Sequence, residues 1–174
     1  MDFYAGELNR RSFLARAAFG AILAASPVPI AGRQQAAAPA SPDPTDHPMF
    51  VDGPGVKWER MAPEAGEWSP EIVILHVAPN TKATELMIRV PPGQHVPPHW
   101  HSANETHTIV SGALVLECNG QKAELGPGGF NYMPARMVHQ AWTKPDSGTL
   151  VFITVDGPWD VNFLTPPKFG KPVR

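Results

Sequence analysis

The sequence predicts an all-β sandwich or barrel of the jelly-roll type. After residue 41, short apolar runs recur at regular intervals, and clusters of turn-forming residues separate them. Proline accounts for 21 of the 174 residues, which disfavours long helices and favours turns. The same region contains no convincing amphipathic helix. Many short strands with regularly spaced turns are typical of jelly rolls.

Turn residues set the limits of the predicted strands. The run 84–90 alternates apolar and polar side chains, as half-buried strands do, and Pro91-Pro92-Gly93 forms the turn after it. Ser111-Gly112 is expected to end the fourth strand, and Asn119-Gly120 is the strongest hairpin signal in the chain. The segment 126–129 turns the chain again. On this basis we expect strands at residues 71–77, 84–90, 96–101, 105–110, 113–118, 121–125, 130–133, 138–143 and 149–155.

The first forty residues resemble a twin-arginine signal peptide. Arg10 and Arg11 stand one residue before Phe13 and Leu14, and the apolar run 15–25 that follows is too short for a permanent membrane-spanning helix. The resemblance implies export to the periplasm by the twin-arginine machinery, which carries folded cargo. A retained leader acting as a membrane anchor and an ordinary amphipathic N-terminal helix are the alternatives.

The rest of the chain is expected to form one arm and one domain. Residues 41–57 are rich in proline, aspartate and glycine and predict an extended arm or linker, and residues 58–174 predict a single domain with a C-terminal tail. The net charge of −2 provides no basic surface, so nucleic acid is not expected as a partner. Cys118 is the one cysteine, which excludes an internal disulfide and a thiolate metal cluster.

Three histidines and a glutamate have the spacing of a metal site in β-structure. His99 and His101 are two residues apart, so on a strand both imidazoles point to one face. Glu105 follows four residues later, and His139 arrives from a distant strand. Imidazole nitrogens and one carboxylate suit a divalent transition metal.

The residues around these side chains resemble the first of the two cupin motifs. Gly93, His99, His101, Glu105 and Gly112 meet every spacing of that motif, which is Gly, five residues, His-x-His, three or four residues, Glu, six residues and Gly.

The second cupin motif is matched in part. Gly128, Pro134 and His139 match it, whereas Arg136 replaces a glycine and Thr143 replaces an asparagine. The resemblance covers roughly residues 58–155 and extends to small single-domain cupins related to anti-sigma-factor cupin domains. It implies a double-stranded β-helix, the jelly-roll barrel of cupins.

The resemblance also implies a cofactor and a function. His99, His101, Glu105 and His139 would hold one divalent transition metal, which could be Fe, Mn, Ni, Cu or Zn. In an octahedral ion these ligands leave two positions for water, O₂ or substrate, whereas they fill the shell of tetrahedral zinc. The first expectation is a metal-dependent dioxygenase or related oxidoreductase acting on a small organic molecule. The second is a non-catalytic zinc-binding cupin that binds or senses a small molecule, and a sugar-modifying or isomerase cupin is the third.

Two side chains are candidates for proton transfer. His107 has the same parity as Glu105 along its strand, so either residue could move a proton in the pocket. A His107 that is hydrogen-bonded to the barrel wall is an equally open interpretation. Because cupins are often dimers, a homodimer with Trp100 or the tail at its interface is also considered.

Overall fold

A computed structural model describes residues 47–172, and the segment that resembles a twin-arginine signal lies outside them. A short 3-10 helix, Gly53–Gly55, precedes the first strand, and a second one, Pro63–Trp68, follows it. Within residues 47–172, no helix has the length and apolar character needed to cross a membrane. The strands are β1 (Glu59–Arg60), β2 (Glu71–Val77), β3 (Thr84–Val90), β4 (His95–Trp100), β5 (Glu105–Gly112), β6 (Leu114–Cys118), β7 (Gln121–Leu125), β8 (Phe130–Met133), β9 (His139–Thr143), β10 (Thr149–Val155) and β11 (Asn162–Phe163).

The strands form two antiparallel sheets. The six-stranded sheet has the order β1-β2-β3-β10-β5-β8, and the five-stranded sheet has the order β11-β4-β9-β6-β7. Apolar side chains from both sheets meet in one buried cluster that includes Leu86, Ile109, Leu116 and Ile153. Along β10 every second residue is buried, which places Val151 and its alternate neighbours in the core. The architecture confirms the prediction of an all-β jelly-roll barrel of the cupin type.

Local patterns predicted most strand limits. All nine predicted strands are present, and the hairpin at Asn119-Gly120 has φ values of 51° and 72°, as a tight two-residue hairpin turn requires. The expected strand end at Ser111-Gly112 is wrong. A β-bulge shifts the register of β5 against β10, so that Val110 is extra and β5 continues to Gly112.

The segments on either side of the barrel contribute short strands. Of the predicted arm, residues 47–57 contain only the 3-10 turn Gly53–Gly55, and most of their side chains are exposed. The tail that follows β10 crosses the edge of the five-stranded sheet, where Asn162 pairs with Trp100 and Phe163 pairs with His99. This pairing brings the tail next to the strand that carries the two-histidine motif.

Candidate metal centre

The structure brings the predicted site residues together inside the barrel. His99 lies on β4, and His101 follows the end of that strand. Glu105 and His107 lie on β5, and His139 begins β9. Their exposed fractions lie between 1% and 6%. Side chains two residues apart on a strand point to the same side, so His99 and His101 both face inward, as do Glu105 and His107. His99 pairs directly with His139, which brings β9 next to β4.

Three of the histidines have the same hydrogen-bonding arrangement. The Nδ1 atom of His99 donates to the carbonyl of Pro97 at 2.7 Å, and that of His139 donates to the carbonyl of Met137 at 3.0 Å. The Nδ1 atom of His101 donates to the carbonyl of a tail residue, Asp160. A carbonyl can only accept, so each Nδ1 carries the proton, and a neutral ring then presents Nε2 as a free lone pair. This is the tautomer that binds a metal through Nε2.

Burial disfavours the protonated form of His99, His107 and His139. Burial, helped by the neighbouring His139, lowers the pKa of His99 to about 3. Burial also lowers the pKa of His107 and of His139 to about 4 in each case. Neutral imidazole is the form that ligates a metal ion, so these side chains need not release a proton to bind one.

The carboxylate of Glu105 faces these nitrogens. Its Oε2 atom lies 3.0 Å from the Nε2 of His101, 3.3 Å from that of His107 and 4.0 Å from that of His139. Among the described residues, this oxygen and the Nε2 of His139 are buried and without a hydrogen bond. Burial raises the pKa of Glu105 to about 7, and the neighbouring His101 and the nearby indole N–H of Trp159 oppose that rise.

This arrangement fits a divalent cation. Lone pairs on nitrogen and oxygen face each other across short distances in a buried site, and the unpartnered polar atoms carry a large desolvation cost. A metal ion bound by several of these atoms would accept their lone pairs and reduce that cost. The candidate ligand atoms form two overlapping groups, His99-His101-His139 and Glu105-His107-His139, which share His139. The assignment of individual ligands stays a prediction.

An apolar cavity adjoins the polar cluster. Its volume is about 80 Å³. Core side chains such as Ile88 and Val151 form one wall. The tail forms another, and it contributes four lining side chains: Trp159, Val161, Phe163 and Phe169. The indole nitrogen of Trp159 is buried and has no hydrogen-bond partner in the described part of the chain.

The tail supports the site in a way that sequence reasoning missed. Besides accepting from His101 through its backbone, Asp160 accepts from the backbone nitrogen of Ser102 at 2.8 Å and from its hydroxyl at 2.6 Å. Further along, the buried amide of Gln94 donates to the carbonyl of Gly170 at 3.0 Å and accepts from its nitrogen at 3.1 Å. These contacts join residues far apart in the chain, and no local pattern signals them.

The two departures from the second cupin motif are both accommodated. Arg136 has a φ of 61°, a left-handed conformation that glycine adopts more easily, and its backbone nitrogen donates to the carbonyl of His101 at 2.8 Å. Thr143 is buried, and its hydroxyl donates to the carbonyl of Pro91 at 2.6 Å and accepts from the nitrogen of Gln94 at 2.9 Å. The turn geometry and a polar contact at the end of the motif are therefore both present.

The family comparison agrees with the geometry. Residues 86–158 match the family model Cupin_2, described as Cupin domain, and this segment contains all five clustered side chains. The match supports the cupin superfamily, while the closer relation to anti-sigma-factor cupin domains remains a prediction. No protein of curated function matches the sequence.

Solved structures share the fold at low sequence identity. The polyketide cyclase RemF from Streptomyces resistomycificus is 20% identical with a TM-score of 0.57, over 72% of this chain and 91% of that one. A candidate acetylacetone dioxygenase from Methylibium petroleiphilum PM1 is 16% identical with a TM-score of 0.56, over 72% and 89%. KdgF from Halomonas sp. is 22% identical with a TM-score of 0.51, over 62% and 94%. These likenesses establish the fold.

Proposed function

We propose that this protein is an exported metal-binding cupin that acts as a metal-dependent oxidoreductase, of the dioxygenase type, on a small organic molecule. One observation carries the proposal. Imidazole lone pairs and an unpartnered carboxylate oxygen converge at the polar end of a largely apolar cavity. A polar, metal-ready end and apolar walls are the usual composition of a small-molecule site.

The clustered side chains offer nitrogen and oxygen donors to this cavity. His99, His101, Glu105 and His139 would hold one divalent ion, and this donor set suits Fe, Mn, Ni, Cu or Zn. When bound, the ion would supply Lewis acidity and, for the redox-active metals, electron transfer. Glu105 and His107 are our candidates for holding or moving a proton beside it, and their side chains lie 3.3 Å apart.

The cavity walls favour a small and largely apolar substrate. Aliphatic and aromatic side chains surround most of the space, and a volume of about 80 Å³ restricts the size of the group that enters. The indole N–H of Trp159, which lies near the carboxyl group of Glu105, provides one donor that could bind a substrate oxygen. Two structural neighbours, the polyketide cyclase and the candidate acetylacetone dioxygenase, are named for small organic substrates, and the second is the reason for favouring oxygen chemistry.

Metal analysis of the full-length protein tests the site. We expect one divalent transition metal per chain by mass spectrometry and its loss in His101→Ala, with circular dichroism still showing a β-fold. His95→Ala is the matched control because His95 is exposed and stacks on Trp142 outside the cavity, so this variant should keep its metal. Full metal occupancy in His101→Ala would contradict the proposed ligand set.

A non-catalytic zinc site is the second candidate. The observation in its favour is the number of donors, because five buried side chains are more than enough to fill the shell of zinc. X-ray absorption at the metal edge separates the candidates. A six-coordinate redox-active ion with bound water, together with O₂ consumption in the presence of small organic compounds, supports the oxidoreductase. Closed four-coordinate zinc with no turnover supports the binding or sensing domain.

We also propose that the protein is exported to the periplasm by the twin-arginine route. The support is the order of residues in the leader, Arg10-Arg11 followed by Phe13-Leu14 and an apolar run. Replacing both arginines by lysine should leave the full-length chain in the cytoplasm, whereas the unaltered chain should appear in the periplasmic fraction. Equal export of both forms would contradict this part of the proposal.

The homodimer that the cupin resemblance implies is a separate proposal. Trp100, which the sequence suggested for the interface, is half-buried in the described structure. Light scattering on the purified protein should give twice the mass of one chain, and a monomer mass at micromolar concentration would exclude a stable dimer.

A further inference from the structure

We infer that His107 is a fifth protein ligand of the metal ion rather than a proton carrier beside it. The inference rests on the proposed function, because it presupposes that an ion binds among the clustered side chains. It goes further by assigning a ligand outside the two cupin motifs and by limiting how many outside atoms the ion can bind.

The hydrogen bond on the far side of the His107 ring determines its tautomer. The Nδ1 atom of His107 lies 3.2 Å from the Oδ1 atom of Asn131, which stands directly opposite on β8. An amide oxygen only accepts, so Nδ1 carries the proton and Nε2 presents a free lone pair to the cavity. His99, His101 and His139 reach the same state by donating to carbonyl groups.

The position of Nε2 is that of a ligand next to Glu105. A metal–ligand bond of about 2.1 Å places neighbouring ligand atoms of an octahedral ion about 3.0 Å apart and opposite ones about 4.2 Å apart. The Oε2 atom of Glu105 lies 3.0 Å from the Nε2 of His101 and 3.3 Å from that of His107, which match neighbouring positions. Its distance of 4.0 Å from the Nε2 of His139 is close to that of opposite positions.

If His107 does not bind the ion, two hydrogen-bond acceptors face each other in the site. With Nδ1 protonated, Nε2 and the Glu105 oxygen both offer lone pairs across 3.3 Å, in a site where His107 is only 6% exposed and water cannot separate them freely. Only a cation between them, or a proton on the carboxyl group, removes this repulsion. The same cation would satisfy the Nε2 of His139, the third member of the group. This group and the group His99-His101-His139 do not merge into one within 4.8 Å, so five ligands on one ion require the rings of His99 and His101 to move closer to His107 when the ion binds.

Five protein ligands would change how the site handles its substrate. An octahedral ion then keeps one position for an outside ligand instead of two, so the ion could not bind two oxygen atoms of one substrate. The organic molecule would have to be held by the apolar wall, where the tail contributes Trp159 and Phe163. We therefore expect a substrate that makes at most one contact with the metal and is recognised mainly by its apolar surface.

Nitrogen NMR of the full-length protein, labelled with ¹⁵N-histidine and loaded with Cd²⁺, a diamagnetic ion that accepts six ligands, tests the inference. Metal-bound, free and protonated imidazole nitrogens have different chemical shifts, and two-bond correlations to ring protons identify the tautomer. We expect four of the seven histidines to have a metal-bound Nε2. The His107→Leu variant should lose one of these four signals and bind Cd²⁺ at least about 10-fold more weakly in chelator competition.

Two further variants keep the test decisive. His95→Gln should retain all four metal-bound signals, because His95 lies outside the cavity. If His107→Leu does not fold, Asn131→Ala identifies the His107 signal by moving it alone. A metal-bound signal from only three histidines, with a proton on the Nε2 of His107, would overturn the inference while leaving the proposed metal site intact. A wild-type chain that binds no Cd²⁺ and arrives without any metal would overturn both.

Discussion

Replacing Arg136 by glycine should stabilise the protein, because Arg136 occupies a left-handed backbone position at φ 61°. Its turn is closed by a 3.1 Å bond from the nitrogen of Met137 to the carbonyl of Pro134, and the nitrogen of Arg136 donates to the carbonyl of His101. A non-glycine residue in this conformation costs about 1–2 kcal/mol. Glycine removes that cost but gives up about 0.4–1 kcal/mol through greater freedom in the unfolded chain. We expect a net gain between about 0 and 1.6 kcal/mol, centred near about 0.8 kcal/mol, or about 2–3 °C in melting temperature.

The assay is thermal unfolding of full-length protein in excess chelator, so that metal binding does not contribute to the melting temperature. Ala135→Gly is the matched control, because Ala135 is exposed in the same turn and does not have a positive φ. It should lose about 0.4–1 kcal/mol, since it gains only unfolded-state freedom. An Arg136→Gly protein that melts at or below the Ala135→Gly temperature would refute the reasoning.

Three further predictions follow from the described contacts. In Gly112→Ala, the new Cβ would lie 1.9 Å from a carbonyl oxygen, at a residue whose φ is +73°. We expect the free energy of unfolding, measured with denaturant, to fall by about 3 kcal/mol or more. In the control Gly126→Ala the new Cβ meets nothing within 4 Å, and the free energy of unfolding should change by less than about 0.5 kcal/mol. Gln94→Leu removes both hydrogen bonds to the tail and should speed trypsin cleavage after Lys168, measured by mass spectrometry; unchanged cleavage would show that other contacts hold the tail. Metal added at 100 times its dissociation constant should stabilise the protein by about 2.7 kcal/mol in thermal melts, and a melting temperature that does not respond to metal would contradict binding to the folded state.

The strands of the barrel were predictable because their signals are local. Alternating apolar residues and turn residues lie within each segment, and the Asn119-Gly120 hairpin needs no information from elsewhere. The β-bulge at Val110 was not predictable, because it depends on the register against β10, which is far away in the chain. For the same reason β1 and β11 were missed, since two-residue strands exist only through their partners.

The clustering of the candidate site residues was predictable, but their surroundings were not. The spacing of His99, His101 and Glu105 follows from strand geometry, and the second cupin motif supported the inclusion of His139 from a distant strand. Tertiary structure alone shows that Asp160 orients the ring of His101 and that the tail closes the cavity, because neither residue type nor local pattern marks those positions. The tautomer of His107 likewise depends on Asn131, which only the pairing of β5 with β8 brings opposite.

The support of His101 by Asp160 has a consequence for the order of assembly. During translation Asp160 leaves the ribosome after β4, β5 and β9, which carry the other candidate ligands. Until then the His101 ring lacks the acceptor that fixes its tautomer, and a nascent barrel would hold an ion less firmly than a finished one. The completed polypeptide would therefore select among competing ions, and it would do so in the compartment where its folding ends.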